Sequence, residues 1–176
     1  MNKGQSNTNK NVTVIDPKKK PIILGAVVAV AILLMAVLMF IENAQGTIVI
    51  SNNTGAKLEY VHAYFVDAEG ALHDGFMVED LEIGKSQRFP VGEHKLLGTE
   101  ANLEVRFKFE GAEEVFVDAG YFNDTFNGDI KVDFSSTNEQ DVALLHVKAS
   151  NGLIKSNLID CDDEFKINIK EGYEIE

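Results

Sequence analysis

The sequence has little cysteine, tryptophan or proline, and cysteine in particular stabilises many small exported domains through disulfides. Of its 176 residues none is tryptophan, three are proline and one, Cys161, is cysteine. A single thiol cannot form an internal disulfide, so the folded part must be stable by packing alone. Cys161 is interpreted as a small buried or neutral surface residue, with an intermolecular disulfide as the alternative. An exported domain without disulfides is more typical of a bacterial cell than of a eukaryotic secretory pathway.

Charge divides the chain into three parts. Residues 1–20 contain five lysines and one acid, and residues 21–41 contain no charged residue. Since the whole chain carries −12, residues 42–176 carry −16, from 27 acidic and 11 basic residues. So acidic a domain repels phosphate backbones, which excludes nucleic-acid binding as its function. A basic tail, a neutral segment and an acidic domain together predict a membrane topology.

The neutral segment Pro21–Ile41 predicts a transmembrane helix. Its 21 residues would form a helix of roughly 31 Å, which matches a hydrocarbon core of about 30 Å. A buried core helix would be shorter and carry polar residues. A cleaved signal peptide has a shorter apolar region, and cleavage after Ala44 would place Glu42 where a small residue is required. The segment is therefore predicted to be an uncleaved signal anchor.

The residues beside this segment predict its orientation. Lys18, Lys19 and Lys20 precede it directly, whereas the linker 42–46 opens with Glu42. The positive-inside rule then keeps the N-terminus in the cytoplasm and places residues 47–176 outside it, in a single-pass protein of the cell membrane. Gly25 and Ala29 form a small-xxx-small pair, which is a candidate helix-packing face in the lipid bilayer.

The tail, residues 1–20, is predicted to be disordered and cytoplasmic, because it is polar and has almost no apolar residue before Val12. Thr13 is followed by Asp16 three residues later. If Thr13 were phosphorylated, this pair would resemble the ligands of phosphothreonine-reading domains. The alternative is a simple linker next to the membrane.

Residues 47–176 alternate apolar and polar side chains with the period of β-strands. In Leu103–Glu110, for example, leucine, valine and two phenylalanines fall on one face and charged residues on the other. The predicted strands are Thr47–Ser51, Lys57–Val66, Lys85–Phe89, Leu103–Glu110, Glu114–Phe122, Ile130–Phe134, Val142–Ala149, Phe165–Lys170 and, more weakly, Leu153–Ile159.

Turn residues separate these strands at short intervals, and no βαβ rhythm is present. Asn127-Gly128 and Asn151-Gly152 are typical of hairpin turns. Gly75–Ile83 is expected to add a short helical turn. The predicted fold is therefore all-β: an antiparallel sandwich or open barrel of about eight strands, preceded by one transmembrane helix.

Catalytic and metal-binding patterns are weak. The four histidines, at positions 62, 73, 94 and 146, form no H-x-H or H-x-x-x-H pair. The acids around Cys161 should raise its pKa, which opposes a cysteine nucleophile. There is no Gly-x-Ser-x-Gly motif. We predict no catalytic residue, no cofactor and no defined metal site.

Two acidic segments bear on cation binding. Asn123–Asp129 begins like a calcium loop, but its twelfth position is Phe134 rather than glutamate, and a hairpin explains the same residues. The acids at positions 160 and 162–164 are interpreted as a solvated acidic loop, with weak divalent-cation binding as the alternative.

These observations favour a membrane-anchored extracytoplasmic binding or scaffolding module over an enzyme. The β-domain is expected to contact another cell-envelope protein through a sheet face or an edge strand. One alternative is a sensor or secretion-accessory subunit that signals through the short tail. The other is an exported hydrolase that uses carboxylates.

Overall fold

The computed structural model describes residues 20–42, 46–151 and 156–175. The chain divides into two compact units, Met1–Phe40 and Ile41–Glu176. Helix α1 runs from Lys20 to Glu42, and its large apolar side chains between Leu24 and Met39 are exposed. Over the residues described, no helix proves long and apolar enough to cross a membrane. The transmembrane helix thus stays a prediction.

The second unit is built from strands. Its described residues form β1 (Thr47–Asn53), β2 (Leu58–Asp67), β3 (Gly70–Ala71), β4 (Phe76–Leu81), β5 (Lys85–Pro90), β6 (His94–Lys95), β7 (Ala101–Phe109), β8 (Glu114–Phe122), β9 (Thr125–Phe126), β10 (Asp129–Ser136), β11 (Val142–Ser150), β12 (Ile159–Asp160), β13 (Asp162–Asn168) and β14 (Tyr173–Ile175).

These strands form two large sheets. Sheet I has the order β14-β13-β11-β10-β1-β5, and sheet II has the order β12-β8-β7-β2-β3, with β4 also paired to β2. Strands β6 and β9 form a separate two-stranded ribbon. All pairs are antiparallel except β1 with β10, which run parallel. A parallel pair cannot be closed by a tight turn, so the chain builds most of sheet II between these two strands.

The two sheets enclose one hydrophobic core. Inward residues of both sheets belong to a single buried cluster, and the ring of Phe134 on β10 lies 4.9 Å from Phe107 and 5.9 Å from Phe109 on β7. Edge-to-face rings at this spacing pack favourably. The all-β prediction is confirmed, and the two packed sheets are consistent with a β-sandwich. Nine strands have six residues or more, close to the expected number.

The short helical turn predicted at Gly75–Ile83 is wrong, because this segment contains β4. Val78 and Leu81 are both buried, and their spacing of three residues is typical of a helix. Between them Asp80 adopts a positive φ of 52°, which shifts the side-chain alternation by one residue. Opposite Asp80, β2 has a register shift between Leu58 and Tyr60, so both strands change face together.

The hairpin turn predicted at Asn127-Gly128 is also wrong. These residues join β9 to β10, and the two strands pair with other partners. Glycine is needed here because a Cβ at Gly128 would lie 1.9 Å from the carbonyl oxygen of Ser150. The residue therefore marks a close approach of two backbones rather than a turn conformation. The second predicted turn, Asn151-Gly152, lies partly outside the described residues.

The acidic loop predicted at residues 160–164 is largely strand, in β12 and β13. In sheet I, Asp162 pairs with Lys148 and Glu164 pairs with His146. Opposite charges on neighbouring strands stabilise a sheet, so the acids belong to a strand whose partner is basic.

Asn52 ties the loop after β1 to β4. Its side chain is fully buried and donates hydrogen bonds to the carbonyl oxygens of Ala56 (2.9 Å) and Leu81 (3.0 Å). Its Oδ1 accepts from the amide and hydroxyl of Thr54. All four hydrogen-bonding positions of the amide are therefore used.

Replacing Gly128 with alanine should destabilise the domain by about 3 kcal/mol or more, because the new Cβ has no space beside Ser150. Gly55→Ala is the matched control, since a Cβ there meets nothing within 4 Å and the free energy of unfolding should change by less than about 1 kcal/mol. Urea denaturation of the full chain in detergent measures both. Equal effects of the two substitutions would show that the backbones around Gly128 are not in close contact.

Candidate interaction surface

The outward face of sheet II carries a row of four side chains from four adjacent strands. Met77 on β4 pairs with His62 on β2, His62 pairs with Arg106 on β7, and Arg106 pairs with Phe116 on β8. We call these four residues the Met77–Phe116 row. The alternation of each strand puts them outside, because their neighbours in sequence, such as Val61, Val105 and Val117, are buried.

The two ends of this row are large and apolar. Phe116 is 52% exposed and Met77 is 49% exposed. Aromatic residues, methionine and arginine are enriched in protein–protein interfaces, so the composition of the row is typical of a contact surface.

Arg106 is fixed at the centre of the row. Its Nε donates to the hydroxyl of Tyr64 (2.7 Å) and to Glu104, and its Nη1 donates to Glu114 (3.1 Å). Its guanidinium carbon lies 4.8 Å from the ring centre of Phe116, within cation–π range. A side chain held in this way loses little further entropy when a partner binds.

The carboxylate of Glu104 fixes the position of Arg106 in this network. The residue is only 9% exposed, and its carboxylate accepts from Arg106 and from the hydroxyl of Tyr64. Burial and the hydrogen bond to Glu104 raise the pKa of Tyr64. Burial, followed by the Glu104 charge, raises the pKa of Asp118. A buried carboxylate with two strong donors is stable in place, so it positions Arg106 rather than serving as a free acid or base.

The sheet edges are less suited to a partner strand than this face. Strand β5, at one edge of sheet I, contains Lys85, Arg88 and Pro90, and β14 at the other edge has three residues. The strands β3 and β12, at the ends of sheet II, have two residues each. The other edges of this sheet, β4 and most of β8, contain the acids Glu79, Asp80, Glu114 and Asp118. Charged, proline-containing or very short edges oppose strand addition.

Two histidines, His73 and His94, meet near one end of sheet II although they are distant in sequence, and His62 contacts the carbonyl oxygen of Asp74, the residue after His73. The rings of His73 and His94 lie 4.5 Å apart, and both contact Phe65. His94 and His62 each face a backbone carbonyl oxygen, of Val91 (2.9 Å) and Asp74 (2.7 Å), so each carries a proton on Nε2. The cluster is packed as aromatic and hydrogen-bonding groups.

His73 is held in its neutral form. Its Nδ1 accepts from the Gly75 amide (2.8 Å), and its Nε2 lies 3.2 Å from the Phe65 amide nitrogen. A neutral imidazole has one acceptor nitrogen and an imidazolium has none, so protonation would turn the Gly75 contact into a clash between two N–H groups. Burial, followed by the charge of His94, lowers the pKa of His73 to about 4.

The structure reaches only some of the residues singled out in the sequence. Lys20 is the first residue of α1, whereas Lys18, Lys19, Thr13 and Asp16 lie outside the described residues. Gly25 and Ala29 share one face of α1 and are exposed. A Cβ at Gly25 would meet nothing within 4 Å. Their role in helix packing stays a prediction.

Cys161 is buried, at 4% exposure, as the simpler interpretation expects. Burial, followed by the charge of Asp163, raises the pKa of its thiol to about 12. The sequence anticipated the direction of this shift from the surrounding acids, but burial is the larger cause. A thiol that is both inaccessible and protonated is a poor nucleophile and a poor partner for a disulfide.

The two acidic segments use their carboxylates within the protein. Asp162 binds His146 (2.6 Å) and Lys148, and Asp163 accepts from the Gly120 amide (2.7 Å). In the other segment Asp129 accepts from the Thr47 amide (2.8 Å). Among the described side chains, no three His, Cys, Asp or Glu residues converge as a metal site. Weak divalent-cation binding stays a prediction without a cluster to support it.

The Met77–Phe116 row was not identified in the sequence. Alternation placed Arg106 on the wet face of its strand, but pairing between strands decides its neighbours. One signal was present: Phe116 lies between Val115 and Val117, at a position where Glu114 and Asp118 predict a polar residue. A large apolar side chain at an outward-facing position of a strand indicates an interaction surface.

The free energy of unfolding should fall as the pH is lowered from about 6.5 to about 4. The pKa of His73 is about 4 in the folded protein and about 6.5 in an unfolded chain, so the unfolded chain binds the proton first in this range. NMR titration of the histidine rings, with His73→Gln used for assignment, should place the His73 midpoint near 4. A midpoint near 6.5 would contradict the neutral, half-buried ring. His73→Gln should also reduce the fall in the free energy of unfolding between pH 7 and 5. Carboxylates contribute less to the pH dependence in this range than they do at lower pH.

Comparison with known proteins adds no relative: no family model matches the chain, and neither a curated protein nor a solved structure is significantly similar to it.

Proposed function

We propose that the chain is a membrane-anchored extracytoplasmic binding or scaffolding module, and that the Met77–Phe116 row contacts another protein of the cell envelope. The observation that carries the proposal is the pairing of two exposed apolar side chains with a fixed arginine between them. The row lies on a rigid sheet, which suits a surface that is formed before binding.

The energetic case rests on the ends of the row. Phe116 and Met77 are each about half exposed, so covering them would contribute on the order of 1 kcal/mol apiece from apolar burial. Arg106 adds a charged group whose hydrogen bonds and ring contact are already made. Hot spots in protein interfaces have this composition, with weaker contacts around them.

Support for the anchor comes from the sequence and from α1. Residues 21–41 carry no charge and follow three consecutive lysines. In α1, eleven large apolar side chains between Leu24 and Met39 are 47–65% exposed. Water disfavours a continuous apolar surface of this kind, whereas lipid accommodates it. The proposal therefore places α1 in the bilayer, the tail in the cytoplasm and the β-domain on the other side.

The two alternatives have weaker support. A signalling role would depend on Thr13 and Asp16, which lie outside the described residues. A hydrolase would need a carboxylate with an open environment, and Glu104, the most buried acid of the sheet II face, is held by Arg106 and Tyr64. The binding module remains our proposal for these reasons.

A photocrosslinking amino acid at position 116 of the full chain, in membranes of cells that express it, should trap a protein partner in a discrete product. Position 173 is the matched control, because Tyr173 is an aromatic residue of similar exposure, 47% against 52%, on sheet I. A product from position 116 alone supports the proposal. No product, or equal products from both positions, would contradict the assignment of this face. Arg106→Ala should weaken the product from position 116.

Orientation can be tested independently of any partner. Replacing Lys18, Lys19 and Lys20 together with glutamine should increase the fraction of chains whose β-domain stays in the cytoplasm, because these charges are the strongest positive-inside signal. Protease added outside intact spheroplasts measures the exposed fraction. Lys3→Gln with Lys10→Gln leaves the three lysines next to the helix in place and should have a smaller effect. A β-domain protected from protease in the unmodified chain would contradict the proposed topology.

A further inference from the structure

The outward face of sheet I holds an open concavity of about 510 Å3. A row of paired residues crosses it: Arg88 on β5 pairs with Val49 on β1, Val49 pairs with Lys131 on β10, and Lys131 pairs with Lys148 on β11. Thr47, Asp129 and Ser150 line its side nearest the start of β1. We call this concavity the basic cavity.

Positive charge is concentrated in the basic cavity. Three of the 11 basic residues between positions 42 and 176 line it, in a segment that also has 27 acids. Lys148 is neutralised by Asp162. Within the described part of the chain, neither Arg88 nor Lys131 forms an ion pair. Two uncompensated cations are unexpected where acids outnumber bases by more than two to one.

Lys131 and Lys148 are direct cross-strand neighbours. Because Asp162 compensates Lys148, Arg88 and Lys131 are the two cations of the cavity that form no ion pair among the described residues. Arg88 and Lys131 are each one strand away from Val49, so they flank it at a separation of roughly 10 Å. Asp129, which also lines the cavity, accepts from the amide (2.8 Å) and hydroxyl (3.2 Å) of Thr47. These donors are neutral and leave its negative charge in place, so the lining, with three cations and one carboxylate, carries a charge of +2.

The ligand chemistry follows from these groups. A guanidinium and an ammonium on either side of a valine are suited to an anion larger than chloride, and arginine binds phosphate oxygens through two parallel hydrogen bonds. The hydroxyl of Ser150 offers a further donor at the rim. We propose that the basic cavity binds the phosphate group of an anionic lipid headgroup, with Arg88 and Lys131 as the binding residues.

The covalent chain favours lipid as the source of the phosphate. Thr47, which lines the cavity, follows Glu42 at the end of α1 by five residues, and five residues span at most about 18 Å. This step depends on the proposed function, because it takes α1 as the membrane anchor. Tethering then keeps the cavity at a high effective concentration of headgroups, so that a site too weak to bind a membrane alone can be occupied.

The test uses the full chain reconstituted into vesicles of phosphatidylcholine, with or without phosphatidylglycerol at about one lipid in three. A donor dye is attached to Ser86→Cys, since Ser86 lies on β5 two residues from Arg88 and does not line the cavity. Buried Cys161 is spared by labelling in the native state. Energy transfer to an acceptor on the lipid headgroups reports how closely this face approaches the membrane.

Phosphatidylglycerol should raise the energy transfer at least threefold, and Arg88→Gln with Lys131→Gln should abolish the rise. Lys95→Gln with Lys170→Gln removes the same charge from exposed positions outside the cavity and should leave the rise intact. Inorganic phosphate in excess should reduce it by competition. If both double variants reduce the rise equally, general charge attraction explains it and the proposal is overturned.

Two further outcomes would also overturn the proposal. If phosphate changes the dye signal while phosphatidylglycerol leaves energy transfer unchanged, the ligand is free phosphate rather than lipid. A response to neither would show that the cavity binds no phosphate group. Flotation of the same vesicles separates these results from a failure of the anchor: a chain that floats without responding to phosphatidylglycerol contradicts the basic cavity alone, whereas a chain that does not float contradicts the anchor.

Discussion

The fold depends on the burial of one face of each sheet against the other. There is no disulfide and no described metal cluster to close the domain, so contacts such as Phe134 against Phe107 and Phe109 must outweigh the entropy of ordering the chain. Alternation along most strands follows from this constraint, because a register error of one residue would turn the apolar side chains of a strand outward. The two outer faces are thereby left free to differ in chemistry.

Alternation made much of this fold predictable from the sequence. Strand β8 was predicted with its observed bounds, Glu114–Phe122, and β5 within one residue. The errors occur where local pattern and tertiary contact disagree. Asp80 shifts the alternation of β4, so its buried residues mimic a helix, and Gly128 resembles a turn glycine but is required by the approach of Ser150. Neither cause can be read from neighbouring residues alone.

The candidate sites were less predictable, because they depend on which strands become neighbours. Alternation places Arg106 and Phe116 outside, but only the sheet order places them side by side, with His62 and Met77 in the same row. Likewise Arg88 and Lys131 are 43 positions apart in sequence, and the parallel pair of β1 with β10 brings them to either side of Val49. Long-range pairing of this kind leaves no trace in local composition.

The outer faces of the two sheets are suited to different ligands. The row on sheet II combines apolar ends with an arginine already paired to Glu104, so a protein partner can cover it without leaving a charge unpaired. Arg88 and Lys131 on sheet I have no such compensation among the described residues, which suits a ligand that brings its own negative charge. Since opposite faces of a sandwich are separated by the core, an anionic headgroup on one face and a protein on the other need not compete. A module bound in this way would hold its partner surface at a fixed side relative to the membrane, which the proposed anchor alone would not do.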